Sequence, residues 1–277
     1  MQGKKVAAFS AMLACVVWLM SGCASEEAAV QTDKSAKPTI IVGSDNYPPY
    51  NYEDANGQPT GIDVDLAVEA FERMGYQAVF SVIDWEAKKE LVESGEIDCI
   101  WGSFSVDGRE NQYRWSAPYM VSRQVVAVRR NSDVYTLADL AGKRVAVQST
   151  TKPEELFVSH TDPRIPELRE IFSLQNRELI YPFLSKGYVD AIAAHEMAIL
   201  QCMSDYGLDY RILEEPLLTV GLGVAFAKDD TRGLEQRLSD VFEDMRADGT
   251  MERIIGKYLE EPRKYMEVES DESGTEN

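Results

Sequence analysis

Residues 93–105, "ESGEIDCIWGSFS", and residues 184–196, "LSKGYVDAIAAHE", share one pattern. Each leaves a polar helix end through a glycine, meets a β-branched residue and an aspartate, then runs into an apolar strand that stops at polar residues. One copy lies in each half of the chain, which predicts two similar α/β lobes facing each other. Open α/β sheets bind ligands beyond the carboxyl ends of their strands. Gly102–Ser105 and His195–Glu196 are therefore candidate walls of a shared cleft.

The surroundings of both copies alternate between strand and helix patterns, as in a largely parallel α/β sheet. "PTIIVGSD", "YQAVFSVI" and "EIDCIWG" read as strands, and "WEAKKELVESG" as a helix stopped by Gly95. "GIDVDLAVEAFERMG" reads as a helix with Val64, Ala67, Val68 and Phe71 on one face and Gly75 near its C-terminal cap. Asp63 and Asp65 are expected on the exposed start of that helix, where carboxylates suit the dipole. In the second half, Thr136 is expected to cap the short helix "LADLAG". "KRVAVQS", "YVDAIAAH", "DYRILEE" and "TVGLGVAFA" read as strands. "PEELFVS", "EMAILQCMSDYG", "RGLEQRLSDVFEDMRADG" and "MERIIGKYLEE" read as helices. "LQNRELIYPFLSKG" reads as one helix that Pro182 should kink.

The 277 residues carry a net charge of −19, which argues against a nucleic-acid partner. Lys4 and Lys5 precede 15 uncharged residues, Val6–Met20. That run is short of the ~20 residues of a membrane-spanning helix and matches a secretory signal peptide. It ends in "LMSGCAS", similar to a bacterial lipobox, which implies residues 1–22 as a leader and Cys23 as the lipid attachment site. Residues 23–38 read as a flexible tether, and 265–277, with five acids and no base, as a disordered tail. Cys99 and Cys202, far apart in sequence, are expected as buried free thiols.

Several catalytic signatures fail. "HEMAI" lacks the second histidine of a zinc-protease helix, and His160 and His195 are too few for a histidine-rich metal site. "GLGVAF" has Phe226 in place of the third glycine of a dinucleotide fingerprint. No P-loop or Gly-x-Ser-x-Gly elbow is present. Neither a cofactor nor a metal is expected.

Five stretches, in order, resemble the bacterial extracellular solute-binding proteins of family 3, which serve ABC importers of polar amino acids. They are "IIVGSDNYPPYNYEDANGQPTGIDVDLAVEAFERMG", "SGEIDCIWGSFSVDGRENQYRWSAPYM", "LADLAGKRVAVQSTT", "KGYVDAIAAH" and "EDMRADGTMERIIGKY". The resemblance implies a two-lobed periplasmic-binding-protein-like fold of type II. Lobe one would comprise residues 39–122 and 223–264, and lobe two 123–222. Two crossover strands, near Tyr119–Val126 and Gly221–Val224, would join them. It further implies a monomer that closes on a free amino acid and delivers it to membrane permease subunits from a lipid anchor on the outer face of the cytoplasmic membrane. Cyclohexadienyl dehydratases, which are cleft enzymes, and ligand-sensing lipoproteins are the alternatives.

The resemblance also implies a site. Arg109 would form a two-pronged pair with the ligand's α-carboxylate, for which a planar, always-charged guanidinium is suited. Ser103 and Ser105 would meet the amino and carboxylate groups. Thr150 and Thr151 would donate from a loop at a helix N-terminus. Tyr47, Tyr50 and Trp85 would flank the ligand side chain; Trp101 is more readily read as core. His195 stands where the family has an ammonium-binding aspartate, and a neutral imidazole supplies no negative charge. Glu196 is adjacent and could supply one. Lys152 reads as a solvent-facing lysine, with a role as selector for an acidic ligand as the alternative.

Overall fold

The computed structural model describes residues 37–266. The leader, Cys23, most of the tether and residues 267–277 of the tail lie outside the described residues.

The first sheet takes β1 (Thr39–Ser44), β4 (Gln77–Val82), β5 (Cys99–Ile100), β6 (Arg114–Trp115) and the late strand β13 (Ala225–Phe226). A small hairpin, β2 (Tyr52–Glu53) and β3 (Pro59–Thr60), precedes α1 (Ile62–Arg73); α2 (Lys88–Ser94) leads into β5. The second sheet takes β7 (Met120–Arg129), β8 (Arg144–Gln148), β9 (Glu170–Leu174), β10 (Ala191–His195), β11 (Tyr210–Ile212) and β12 (Leu218–Leu222). Helices α3 (Lys152–Ser159), α4 (Ile180–Ser185) and α5 (Glu196–Tyr206) accompany it, and α6 (Leu234–Ala247) and α7 (Thr250–Ile255) close the chain.

The strand orders are β4-β1-β5-β13-β6 and β9-β8-β10-β7-β11, with β12 also paired to β7. Each sheet thus has three parallel strands flanked by an antiparallel one. Asp98 and Asp190, the aspartates of the repeated pattern, occupy equivalent places. The Asp98 carboxylate accepts from Ile41 N on β1 at 2.8 Å, and that of Asp190 from Arg144 N on β8 at 2.9 Å. Each also donates its own N–H to the same residue's carbonyl. The repeat is therefore a device that pins the third parallel strand to the first.

Both faces of the second sheet are covered. Along β7, Val126 and Val128 enter one apolar cluster, and Val125 and Ala127 the opposite one; Ala191 and Ala193 of β10 alternate with Ile192 and Ala194 in the same way. This is the period of two expected of a doubly buried strand. Around the first sheet, α1, α6 and α7 bury Leu66, Phe71, Leu238, Phe242 and Ile255 against β1 and Trp101.

The chain passes between the sheets twice, at Ser116–Tyr119 and at Gly223–Val224, and the two passages bond to each other through Ser116 N to Val224 O and Tyr119 N to Leu222 O. The first passage lies just ahead of the stretch expected from the sequence. "TVGLGVAFA" is accordingly two strands, not one, because the chain changes sheets inside it. A Cβ at Gly223 would come within 2.8 Å of Val106 Cγ2.

Other expectations need correction. Residues 170–173, unassigned in the sequence, and Leu174, expected to open the following helix, form edge strand β9, the counterpart of β4. The helix after it is short, and Pro182 sits in its first turn, where the missing N–H leaves no gap. Of the expected face of α1, Val68 is exposed, whereas Val64, Ala67 and Phe71 are buried together with Ile62, Leu66 and Ala70. Leu137, not Thr136, precedes the turn at Ala138–Leu140, and Thr136 bonds Asp139. Tyr265, expected to be disordered, ends an ordered turn and donates to Met197 Sδ. Cys99 and Cys202 are free and buried. No described helix is long and apolar enough to cross a membrane.

Candidate functional site

The site is built on a buried carboxylate. Gly61 opens α1 at φ 121°, and a Cβ there would lie 2.3 Å from Tyr50 O. This close approach lets Asp63 N donate to Tyr50 O and turns the Asp63 side chain inward. Asp63 is 1% exposed, not on the surface as expected. Its carboxylate accepts from Ser103 N at 2.7 Å, from the Tyr119 hydroxyl at 2.8 Å and from Asn51 Nδ2 at 3.4 Å. Burial pushes its pKa up to about 6, against the pull of those hydrogen bonds.

Asp63 thereby holds the turn after β5. Ser103 adopts φ 45° and Thr150, at the end of β8, φ 57°. Non-glycine residues rarely enter this region, and such strain gathers at functional sites. Both residues line one cavity between the sheets, part of it open to solvent.

From the first sheet's side come Tyr47, Trp85, Gly102–Ser105 and Arg109; from the second come Gln124, Gln148, Thr150–Pro153, Arg177, Ile180 and Ala193–His195. The two sides touch. Lys88 Nζ on α2 reaches Thr150 Oγ1 at 2.8 Å, Gln148 Nε2 reaches Asp45 at 2.7 Å, Ser149 Oγ bonds Glu86, and His195 N donates to the Tyr47 hydroxyl at 3.1 Å. These contacts describe a closed arrangement.

Arg109 is buried at the wall. Its NH1 donates to Ser105 O at 3.4 Å, its NH2 lies 3.7 Å from half-exposed Glu155, and its guanidinium lies over the Phe104 ring. Lys152 is buried beside it, 2.7 Å from Glu155, rather than facing solvent. Thr150 N–H donates to Glu154 at 2.6 Å, and Thr151 Oγ1 to Gln148 O. Arg177 pairs with Asp45 at 3.2 Å and lies over the Tyr47 ring.

His195 lines the cavity but has both ring nitrogens in use. Ser122 Oγ lies 2.8 Å from Nδ1, and Gln124 Nε2 lies 2.8 Å from Nε2. Burial, with Arg177 nearby, lowers its pKa to about 3, so the imidazole is neutral. Glu196 is a correction: its carboxylate pairs with Arg123 at 2.8 Å and is not on the cavity wall. Tyr50 sits behind the wall, its hydroxyl 3.1 Å from Ser122 Oγ. Trp101 packs in the core against Phe71, Tyr119 and Phe242.

Lys88, Gln124, Gln148 and Arg177 escaped the sequence reading. Gln124 had a signal, since Ser122 and Gln124 interrupt an apolar strand at a spacing of two. Gln148 ends a parallel strand, where the strand-end rule points. Lys88 had none: it is buried, whereas the adjacent Lys89 is exposed beside Glu93.

Among the described residues, eight buried side-chain polar atoms have no partner. Five belong to the wall: Trp85 Nε1, Ser103 Oγ, Gln124 Oε1, Gln148 Oε1 and Arg177 Nε. Buried polar groups are normally paired, so this cluster marks where a polar ligand would complete the wall. No group of metal-ligating side chains occurs among the described residues.

Residues 40–261 match the model of a family described as bacterial extracellular solute-binding proteins, family 3. The histidine-binding periplasmic protein of Salmonella typhimurium is 32% identical over 231 residues, covering 80% of this chain and 87% of that protein. Among solved structures, an ABC uptake transporter substrate-binding protein from Streptococcus pneumoniae with bound histidine superposes with a TM-score of 0.75. It is 25% identical, and the match covers 81% of this chain and 93% of that one. Tv2483 bound to L-arginine gives a TM-score of 0.74 at 26% identity, covering 81% and 91%.

Proposed function

Because the chain belongs to the bacterial extracellular solute-binding proteins of family 3, we propose that it captures a small carboxylate-bearing solute of the amino-acid type between its two sheets and presents it to a membrane permease. The observation that carries this reading is the buried wall supplied from both sheets, with Arg109 on one side, the Thr150–Lys152 loop on the other and unpartnered polar atoms between them.

Arg109 offers its fork to the ligand carboxylate; Ser103 Oγ and the Gln124 and Gln148 carbonyl oxygens accept from an amine. The ligand binds one lobe, and contacts from the other then favour the closed state, with the passages at Ser116–Tyr119 and Gly223–Val224 as the hinge. Such a shift is only as large as the ligand's preference for the closed form. The wall offers no carboxylic acid, and His195 is engaged at both nitrogens, which supports binding without bond-making. Cys23 carries the lipid that keeps the protein at the outer face of the membrane; Cys23→Ala should release it into the soluble fraction.

The test is a thermal-shift and calorimetric screen of amino acids and small carboxylates. A ligand that binds the folded state raises the melting temperature. Arg109→Lys keeps the charge and loses the fork, so it should weaken the hit about tenfold or more. A hit with unchanged affinity in that variant removes Arg109 from the site.

A further inference from the structure

The charged side chains that line the cavity are all of one sign. Arg109, Lys152 and Arg177 line it, and no aspartate or glutamate does. Lys88 lies just behind Thr150, its Nζ bonded to the Thr150 hydroxyl and to Trp85 O. The acids that pair with these cations do not line the cavity: Glu155 serves Arg109 and Lys152, and Asp45 serves Arg177. Glu86 and Glu154 bind Ser149 and Thr150 and are also off the wall. His195, the remaining titratable wall group besides Tyr47, is uncharged and has no free nitrogen.

From this we infer that the cavity selects a net-anionic ligand with two acid groups. The inference rests on the proposed solute-binding role. The two acid groups match two cationic groups on the wall: Arg109 and Lys152, two cations that share Glu155, and Arg177, whose NH2 pairs with Asp45 while its Nε has no partner. Charge complementarity in a desolvated site decides specificity more than affinity, because the wrong charge leaves buried groups repelled or unpaired. A cationic side chain would be stripped of water beside three cations, with no carboxylate in the cavity lining to pair it. The relatives described above are named for histidine or were solved with histidine or arginine, so this chain departs from them in ligand charge. An amine on the ligand meets neutral acceptors, Ser103 Oγ and Gln124 Oε1, and is tolerated rather than required. Acidic α-amino acids and amine-free dicarboxylates share the recognised chemistry.

Isothermal calorimetry on the purified protein tests this with L-glutamate, glutarate, L-glutamine, L-histidine and L-arginine. Glutamate, glutarate or both should bind about tenfold or more tightly than glutamine and the two other amino acids. Glutamate far above glutarate identifies an acidic amino acid as the source; parity or the reverse identifies an amine-free diacid. Lys152→Gln should lower the preference for glutamate or glutarate over glutamine about fivefold or more. Glutamine, histidine or arginine binding as tightly as the diacids overturns the inference and leaves solute binding intact. No binding by any of the five overturns the inference, and the solute-binding reading falls with it only when the wider screen of amino acids and small carboxylates also finds no ligand. An unchanged preference in Lys152→Gln, repeated in Arg177→Gln, also overturns it.

Discussion

The Asp63 carboxylate holds the Ser103 backbone N–H at 2.7 Å, joining the first turn of α1 to a cavity-wall residue at φ 45°. Removing it leaves three buried donors without this acceptor, Ser103 N, the Tyr119 hydroxyl and, at the longer 3.4 Å, Asn51 Nδ2. Asp63→Ala should therefore cost about 3 kcal/mol in urea unfolding and weaken ligand binding as the Ser103 turn loosens. Tyr119→Phe removes a single donor, costs about 1 kcal/mol and should spare affinity. Equal losses of affinity in the two variants would refute a positioning role for Asp63.

Two buried groups give stability opposite pH dependences. Native Asp63 takes up its proton near 6, above the unfolded value of 3.8. The native state holds more protons in that window, so its contribution is fully present below 3.8 and is lost as pH rises through 6. Native His195 protonates near 3, below the unfolded 6.5, so stability is full above 6.5 and is lost as pH falls toward 3. The limits are about 3 and about 5 kcal/mol respectively. Asp63→Asn should steepen the gain in stability between pH 4.5 and 6.5, and His195→Gln should reduce or reverse it. Parallel pH profiles for the wild type and both variants would exclude this pairing.

Lys88 is a buried cation that crosses between the sheets to Thr150, bonded to Trp85 O and lying over the Trp85 ring. Burial first, then Arg109, lowers its pKa to about 8. The unfolded lysine holds its proton longer, so stability rises with pH between about 8 and 10.5. Lys88→Met should abolish that rise and stabilise the unliganded protein at pH 7 by no more than about 3 kcal/mol. It should also weaken an anionic ligand, because the latch and its charge are gone. Tighter binding in Lys88→Met would show that the charge opposes the ligand.

Gly61→Ala places a Cβ against Tyr50 O at a φ that L-residues avoid. A loss of more than about 1 kcal/mol is expected, with weaker binding through the displaced Asp63. Gly57, also at positive φ but with nothing within 4 Å of its Cβ, is the control; it should lose stability through backbone strain alone and keep its affinity.

What the sequence determined is local or repetitive. The apolar run of β10, the helical pattern of α6 and the glycines ending α2 and α5 place these elements because each depends on neighbours a few residues away. The repeated aspartate pattern announced two equivalent sheets, and the strand-end rule pointed to Gly102–Ser105 and His195 on the cavity lining, though not to Glu196, which lies off it; Arg109 came from the family resemblance. Edge strand β9 was illegible because its half-buried pattern lacks a clean alternation. Tertiary structure decided which polar side chains face the cavity. Asp63 meets Ser103 across 40 residues, Lys88 meets Thr150 across 62, and Arg177 meets Asp45 across 132. Asp63 and Asp65, or Lys88 and Lys89, are alike in sequence. They differ in which of them the packed sheets shield from water, and that shielding sets their charge, their partners and their part in the site.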